Sequence, residues 1–564
     1  MTTNSNSIDS KVQDQKDKLD LLIKHLLPHC HGESEHEDFR KIGHVLRHNL
    51  RTDATSTTLY SGSSHNEIDN RKENENHHND EGYYELVGDI LSGGATNYSY
   101  RIYLTKKRRD GGSNNNQRKS DSQPEEKLPS TSSPTFIPTS DGVVLFAKVC
   151  FSYALWSSDR SKQMDLGRQN CEYAALQHFE HALRIQENDN QPIVPKPYVV
   201  LDLAPHTRAL VTQWCPSADT PWAQQFAQGC VDRRIVPKVA KALAIINTTP
   251  HSDDEICHSD QAQEQKEEKE DSSSRLFMST FPTSFNQKLK DFMFGLNSNR
   301  EKLYDIMLFN ENEPPKDECI RYLQQDLGRD RFLEAVQNMQ VAMQRTDCLL
   351  HGDFHVFNIL VEAQPPLYES SNNDNDNNDD QSKGRVYLCD WEFAHVGPHG
   401  RDIGTLQSFP LLCAYLFAVR GELDKALGIL ACLQELWASY SGLLSDGCNK
   451  GGAKANSHMM EVFRASLGFN GSVAFFLYYL FRAHLEHIDT TGLTTGQVDQ
   501  VITKVGMLGI HLLEQAFLDP IDTNKQDRPD TEPRTSRNAA SKDLPTWYYD
   551  RIHCDLNSLS GITT

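Results

Sequence analysis

The chain has 564 residues, with 57 Lys+Arg against 78 Asp+Glu and a formal net charge of −21. That acidic excess disfavours nucleic acid or an anionic membrane as a partner, although a local basic cluster and bound cations would still admit an anionic ligand. The 13 cysteines form no CxxC pair and keep no regular spacing, which fits reduced thiols in a cytoplasmic protein.

Residues 1–82 form a polar, His-rich N-terminal extension without a secretory pattern, expected to be partly disordered. Amphipathic helices are expected near Leu19–Leu27 and Phe39–Leu50. The pairs His25/His29 and His44/His48 have helical spacing, but without a closed set of four ligands they read as solvated histidines. From Tyr83 the pattern becomes strand-like: Tyr83–Val87, a Ser92-Gly93-Gly94 turn, then Tyr98–Leu104. A basic Ser/Asn/Pro-rich insert at 106–140 reads as disordered. The strand Val143–Val149 carries Lys148, and a helix follows with apolar positions at Leu166, Tyr173, Leu176 and Phe179. Pro197–Leu201 and Arg208–Trp214 close a sheet.

Beyond residue 216 the chain reads as mainly helical, interrupted by polar inserts at 251–274 and 368–384. Its longest apolar run, Phe409–Val419, contains a proline and is too short to span a bilayer. The expected architecture is therefore α+β. A small β-rich N-lobe (83–215) is expected to be followed by a larger, mainly helical C-lobe (216–520), and residues 521–564 by composition to form a C-terminal tail.

Two short strands carry the chemistry. The first lies in Leu349–Val361 and presents Asp353 with an amide, Asn358, five residues on. The second lies in Val386–Phe393 and presents Asp390 and Glu392. These are the groups that Mg-assisted phosphoryl transfer needs. Asp353 would orient the acceptor hydroxyl and take its proton, while Asn358, Asp390 and Glu392 would hold Mg. Asp390 and Glu392 share a face if the segment is extended, and two carboxylates so close call for a cation. The bland alternative for Asp353 is an ordinary turn of His, Gly, Asp and Asn.

Lys148 sits inside an apolar strand, where an ammonium needs an anionic partner unless it lies on an edge and reaches solvent. Glu172 on the following helix would orient it toward the phosphates of ATP. Backbone N–H groups at Gly93 and Gly94 would cover those phosphates, with Asn97 beside them, unless the turn is only a hairpin. The adenine is expected at Gln213-Trp214-Cys215. His351 is expected to support the loop, Asp402 to brace it by accepting backbone N–H bonds, and the aromatic run Phe475–Phe481 to be helix core.

The stretches LLHGDFH (349–355) and CDWEFAHVGPHGRDIG (389–404), with Lys148 and its glycine turn, resemble the aminoglycoside phosphotransferase and choline kinase superfamily. Within it the same two stretches look most like the S-methyl-5-thioribose kinase branch, and the lead-in MLFNENEP (307–314) and the helix before His351 also look like that branch. The resemblance covers about 83–520 and implies a protein-kinase-like two-lobe fold, ATP and Mg as cofactors, and a small-molecule alcohol as acceptor. A thiosugar or sugar is the expected acceptor, and the chain could pair as a homodimer. Departures are visible: Asn358 stands where thioribose kinases have serine, and Phe476 and Leu477 stand where they have an arginine pair. Asn358 is shared with choline kinases, so a choline- or ethanolamine-type kinase is the alternative, and a pseudokinase scaffold the alternative of another class. No Ala-Pro-Glu follows Asp390, which sets the chain apart from protein kinases.

Overall fold

The computed structural model describes residues 5–31, 83–91, 97–107, 144–153, 164–186, 194–215, 220–249, 309, 315, 317–362, 385–447, 453–483, 490–518 and 544–561. The Gly93-Gly94 turn, the inserts expected at 251–274 and 368–384, and all but two residues of the insert 106–140 lie outside them, as does the helix expected at Phe39–Leu50. The described chain divides into two compact units, Met1–Gln169 with Pro197–Trp214, and Asn170–Lys196 with Cys215–Thr564.

The first unit is an antiparallel five-stranded sheet and one helix. Its strands are β1 (Tyr83–Leu91), β2 (Asn97–Lys107), β3 (Val144–Phe151), β4 (Pro197–Ala204) and β5 (Thr207–Gln213), in the spatial order β1-β2-β3-β5-β4. Alternation puts Leu145, Ala147, Val149 and Phe151 of β3 on one apolar face, with Tyr100, Ile102, Ala209 and Val211 from its neighbours. The helix Ser5–His31 covers that face. Its Leu22 and Leu26 are fully buried, and it is bolted on where the Tyr98 hydroxyl donates to Asp14 (3.0 Å) and the Tyr100 hydroxyl to the Gln15 carbonyl (3.0 Å). A Cβ at Gly88 would lie 2.6 Å from Leu19 Cδ1, so the glycine permits the close approach. The helix expected at Leu19–Leu27 is thus longer and belongs to the sheet's core, because each buried leucine removes roughly 2 kcal/mol worth of apolar surface from water.

In the second unit three short antiparallel pairings frame a loop. After β6 (Thr220–Pro221), β7 (Cys348–Leu350) and β8 (Ile359–Val361) flank residues 351–358. β8 pairs with β6 and with β9 (Val386–Leu388), and β7 pairs with β10 (His395–Gly397). The helix Ile235–Thr248 lies against β7, where Asn247 donates to the Leu349 carbonyl (2.8 Å) and accepts from the Tyr440 hydroxyl (2.7 Å). Helices Arg401–Val419, Leu423–Gly447, Ala453–Ala483 and Thr495–Phe517 make the body of the unit. Gly404 meets the Ser466 carbonyl and Gly471 the Gly509 carbonyl so closely that a Cβ at either would overlap backbone. Phe475 and Tyr478 are buried, as helix core requires.

Two expectations need correction. Leu544–Leu559, which reads as part of a tail, is a helix whose Tyr548, Ile552 and Leu556 are fully buried. Its Tyr548 hydroxyl accepts from Asn470 (2.7 Å) and donates to Gln407 (3.0 Å), and Asp555 accepts from the Tyr415 hydroxyl (3.1 Å). The apolar run at 409–419 is also only part of a longer element. The helix Arg401–Val419 is long and apolar enough by composition to cross a membrane, as is Leu423–Ser445, but 83% of the first is buried inside the unit.

Candidate active site

The loop 351–358 is tied at both ends. Gly352 has φ +85°, and a Cβ there would overlap the Phe393 carbonyl oxygen, so glycine is required. At the start of the helix Arg401–Val419, the buried Asp402 carboxylate accepts the backbone N–H of His351 (2.7 Å) and of Gly352 (3.2 Å). That is the brace expected from the sequence. Beside it, Arg401 donates to the Gly352 carbonyl (3.0 Å) and to the His395 ring, whose Nδ1 donates to the Phe393 carbonyl (2.7 Å). Burial pushes the Asp402 carboxyl up to about 6 despite Arg401 and the two backbone donors.

His351 is fully buried. Its Nε2 donates to the Cys389 carbonyl (3.0 Å) and its Nδ1 accepts the Asp353 backbone N–H (3.4 Å). One neutral tautomer satisfies both contacts, and burial pushes the ring's pKa down to about 4. Trp391 packs on this ring at 4.4 Å and stacks on Phe179 at 4.6 Å. The loop that presents Asp353 and the turn that presents Asp390 therefore share one buried support.

The Asp353 carboxylate is a quarter exposed. Asn358 Nδ2 donates to its carbonyl (2.9 Å) and to its Oδ2 (3.4 Å), while His355 Nε2 stands 3.4 Å from the same oxygen. Burial works to raise this carboxyl, but the hydrogen bond and charge of His355, with Arg401, hold it below the usual carboxylate range. His355 moves the opposite way: burial lowers it, the bond to Asp353 raises it more, and the net shift is upward. With its amide nitrogen turned to Asp353, Asn358 has its amide oxygen left to serve as a metal ligand.

Asp390 and Glu392 come together with Glu172, ligand oxygens of the three lying within 4.8 Å of one another. The pairing of the first two does not arise from strand alternation, because β9 ends at Leu388 and Asp390 is left-handed, with φ +67°. A turn, held by the Ala394 N–H to Trp391 carbonyl bond (3.0 Å), brings them to one side instead. Positive φ on a non-glycine residue is strain of about 1 kcal/mol or more, of the kind that persists at sites. Glu172 Oε1 accepts the Trp391 N–H (3.3 Å), which fixes it to the same turn. Three carboxylates with hard oxygen donors, one of them strained, fit Mg as a ligand group. Among the described residues this is the group that fits a metal. The Cys389 N–H donates to the Asn358 carbonyl (2.9 Å), so the β8–β9 pairing carries Asn358 to the carboxylate turn.

The remaining expected residues fall as follows. Lys148 belongs to the first unit and Glu172 to the second. Lys148 is buried on β3, which pairs with β2 on one side and β5 on the other, so it is not an edge-strand lysine. It stands on the face opposite the helix Ser5–His31. Asn97 is buried at the start of β2, and its Oδ1 accepts from Arg168 (3.1 Å). Gln213 ends β5, and the Trp214 N–H already donates to the Val144 carbonyl (3.3 Å). Cys215 is buried beside Tyr387, Leu360 and Cys389. Reading the sequence missed His355; its signal is a histidine two residues beyond Asp353 in the same loop.

No protein-family model and no curated protein matches the chain. Among solved structures it is similar to an ethanolamine kinase of Plasmodium vivax, with 9% identity and TM-score 0.33, over 76% of this chain and 81% of that one. It is similar to an aminoglycoside phosphotransferase of Ralstonia eutropha, with 11% identity and TM-score 0.29, over 77% and 93%. A glucosamine kinase gives 12% identity and TM-score 0.28, over 77% and 92%. Likenesses with TM-scores this low decide nothing about the chain, and its functional reading rests on the residues of the site.

Proposed function

We propose that the chain is an ATP- and Mg-dependent small-molecule kinase with a protein-kinase-like two-lobe fold. The observation that carries this is the joining, through the β8–β9 pairing and the His351 support, of Asp353 to the carboxylate group Glu172, Asp390 and Glu392. An acidic base beside a hard-cation site suits in-line transfer of the γ-phosphoryl group to a hydroxyl.

Asp353 orients the acceptor hydroxyl and accepts its proton late in the transfer; its lowered pKa keeps it ionised for that task. When bound, Mg neutralises charge on the phosphates, and Asp390, Glu392 and Asn358 would hold it, with Glu172 in the same group. Lys148, the one charged residue buried in the described strands of the sheet, is assigned to the α and β phosphates. Cytoplasmic residence fits the ten described cysteines, none of which is in a disulfide.

A thiosugar or sugar is the acceptor we propose. The choline- or ethanolamine-type reading is favoured by one observation, Asn358 held against Asp353, since serine at this position could not make the amide's two contacts. The test is Mg-ATP turnover against methylthioribose, ribose, choline, ethanolamine and an aminoglycoside, with Asp353→Asn as control. Asp353-dependent transfer to one acceptor would establish reaction and substrate; nucleotide binding with no transfer to any acceptor would leave a pseudokinase.

A further inference from the structure

Both side-chain contacts of the Asp353 carboxylate fall on one oxygen. Asn358 Nδ2 and His355 Nε2 each lie 3.4 Å from Oδ2. Asn358 Nδ2 also stands 3.4 Å from His355 Nε2, but the amide has only two N–H bonds, and the Asp353 carbonyl (2.9 Å) and the charged Oδ2 are the acceptors that take them. A carboxylate only accepts, so the His355 nitrogen facing Oδ2 must carry the proton. The other ring nitrogen, Nδ1, is buried and meets no hydrogen-bond partner among the described residues, so none of them competes on that side for the ring's orientation. The ring is set from outside by Phe357, whose edge-on contact has centroids 5.7 Å apart, and Phe357 in turn rests on Phe409 at 4.6 Å.

We propose that His355 is a positioning residue. It clamps Oδ2 of Asp353 together with Asn358, so that Oδ1 is the oxygen that faces the acceptor hydroxyl and takes its proton. This rests on the kinase reading above for the chemistry, but its geometric content does not. Without the His355 donor, Oδ2 keeps one weak contact, and the carboxylate turns about its last torsion, whose wells are broad. Misorientation of a catalytic group is expressed in the transition state rather than in nucleotide binding.

The experiment compares wild type with His355→Phe, which keeps a ring against Phe357 but no donor, and His355→Gln, which puts an N–H at similar reach. Turnover of Mg-ATP is followed with methylthioribose, with choline and with water as acceptors, alongside thermal unfolding. For the acceptor that turns over, His355→Phe is expected to lower kcat by about tenfold to a hundredfold, the size of losing a hydrogen bond to a charged group. KM for ATP and the unfolding midpoint should stay put, and His355→Gln should recover most of kcat. Wild-type kcat in His355→Phe, or equal losses in both variants with a lowered unfolding midpoint, would overturn the proposal. Should wild type transfer to none of the three, the kinase reading fails separately. Crystal structures of the variants then decide: Asp353 turned in His355→Phe and held in His355→Gln supports the clamp, and an unmoved carboxylate in His355→Phe overturns it.

Discussion

The Asp402 carboxylate accepts the His351 backbone N–H at 2.7 Å, joining the first turn of a long helix to a loop 51 residues earlier in the chain. A second bond, from the Gly352 N–H, lands on its other oxygen. Asp402→Ala would leave two buried donors unpaired and Arg401 without its neighbouring charge. We expect a loss of about 3 kcal/mol in urea unfolding and a smaller loss for Asp402→Asn, which keeps one acceptor. Equal stability of Asp402→Ala and wild type would show that the brace is dispensable.

His351 sets a pH dependence. Its folded pKa is about 4 against an ordinary value of 6.5, so the unfolded state binds the extra proton between these values. Stability from this group is complete above about pH 6.5 and is lost as pH falls toward 4, by about 3 kcal/mol in all. Asp402 works the other way. Its folded pKa of about 6 lies above the ordinary 3.8, so its contribution grows as pH falls through that interval. His351→Gln removes only the first effect. Urea midpoints measured at about pH 7 and about pH 4.5 should fall less in the variant than in wild type; an identical fall would reject the assignment.

Gly352→Ala combines positive φ with overlap of the Phe393 carbonyl. Neither the loop nor that carbonyl can retreat, since Arg401, Asp402 and His395 hold both. A destabilisation of about 3 kcal/mol or more is expected, read as a lowered unfolding midpoint or loss of soluble protein.

The carboxylate group should bind divalent cations before any acceptor is known. Asp390→Asn keeps a residue that tolerates the left-handed turn, so its effect reports on charge and not on backbone. Binding of Mn, followed by calorimetry in the presence of ATP, should weaken by about tenfold to a hundredfold in Asp390→Asn and in Glu392→Gln. Asp353→Asn should bind Mn and ATP as wild type does while losing turnover. Substantial turnover in Asp353→Asn would sink the kinase reading.

Removing residues 544–564 should unfold the second unit rather than trim a tail. Tyr548, Ile552 and Leu556 are fully buried, and at about 2 kcal/mol each their loss rivals the stability of an ordinary domain. Wild-type unfolding behaviour in the truncated chain would contradict this.

The sequence by itself determined the parts of the site that are local. Asp353 and Asn358 lie five residues apart between apolar flanks, Asp390 and Glu392 end a second apolar run, and Asp402 opens the next helix; each is legible because strand and turn propensities act over a few residues. Lys148 is visible for the same reason, as a charge inside an apolar run. What the tertiary structure decided is which distant groups meet. Glu172 joins Asp390 only because Trp391 N–H reaches it across 219 positions, and nothing in either segment encodes that approach. The left-handed Asp390, the docking of the N-terminal helix on the sheet and the burial of Leu544–Leu559 are of the same kind. Long-range packing selects one partner among many amphipathic faces, and it does so through close fits, such as Gly88 under Leu19, that no periodicity reveals.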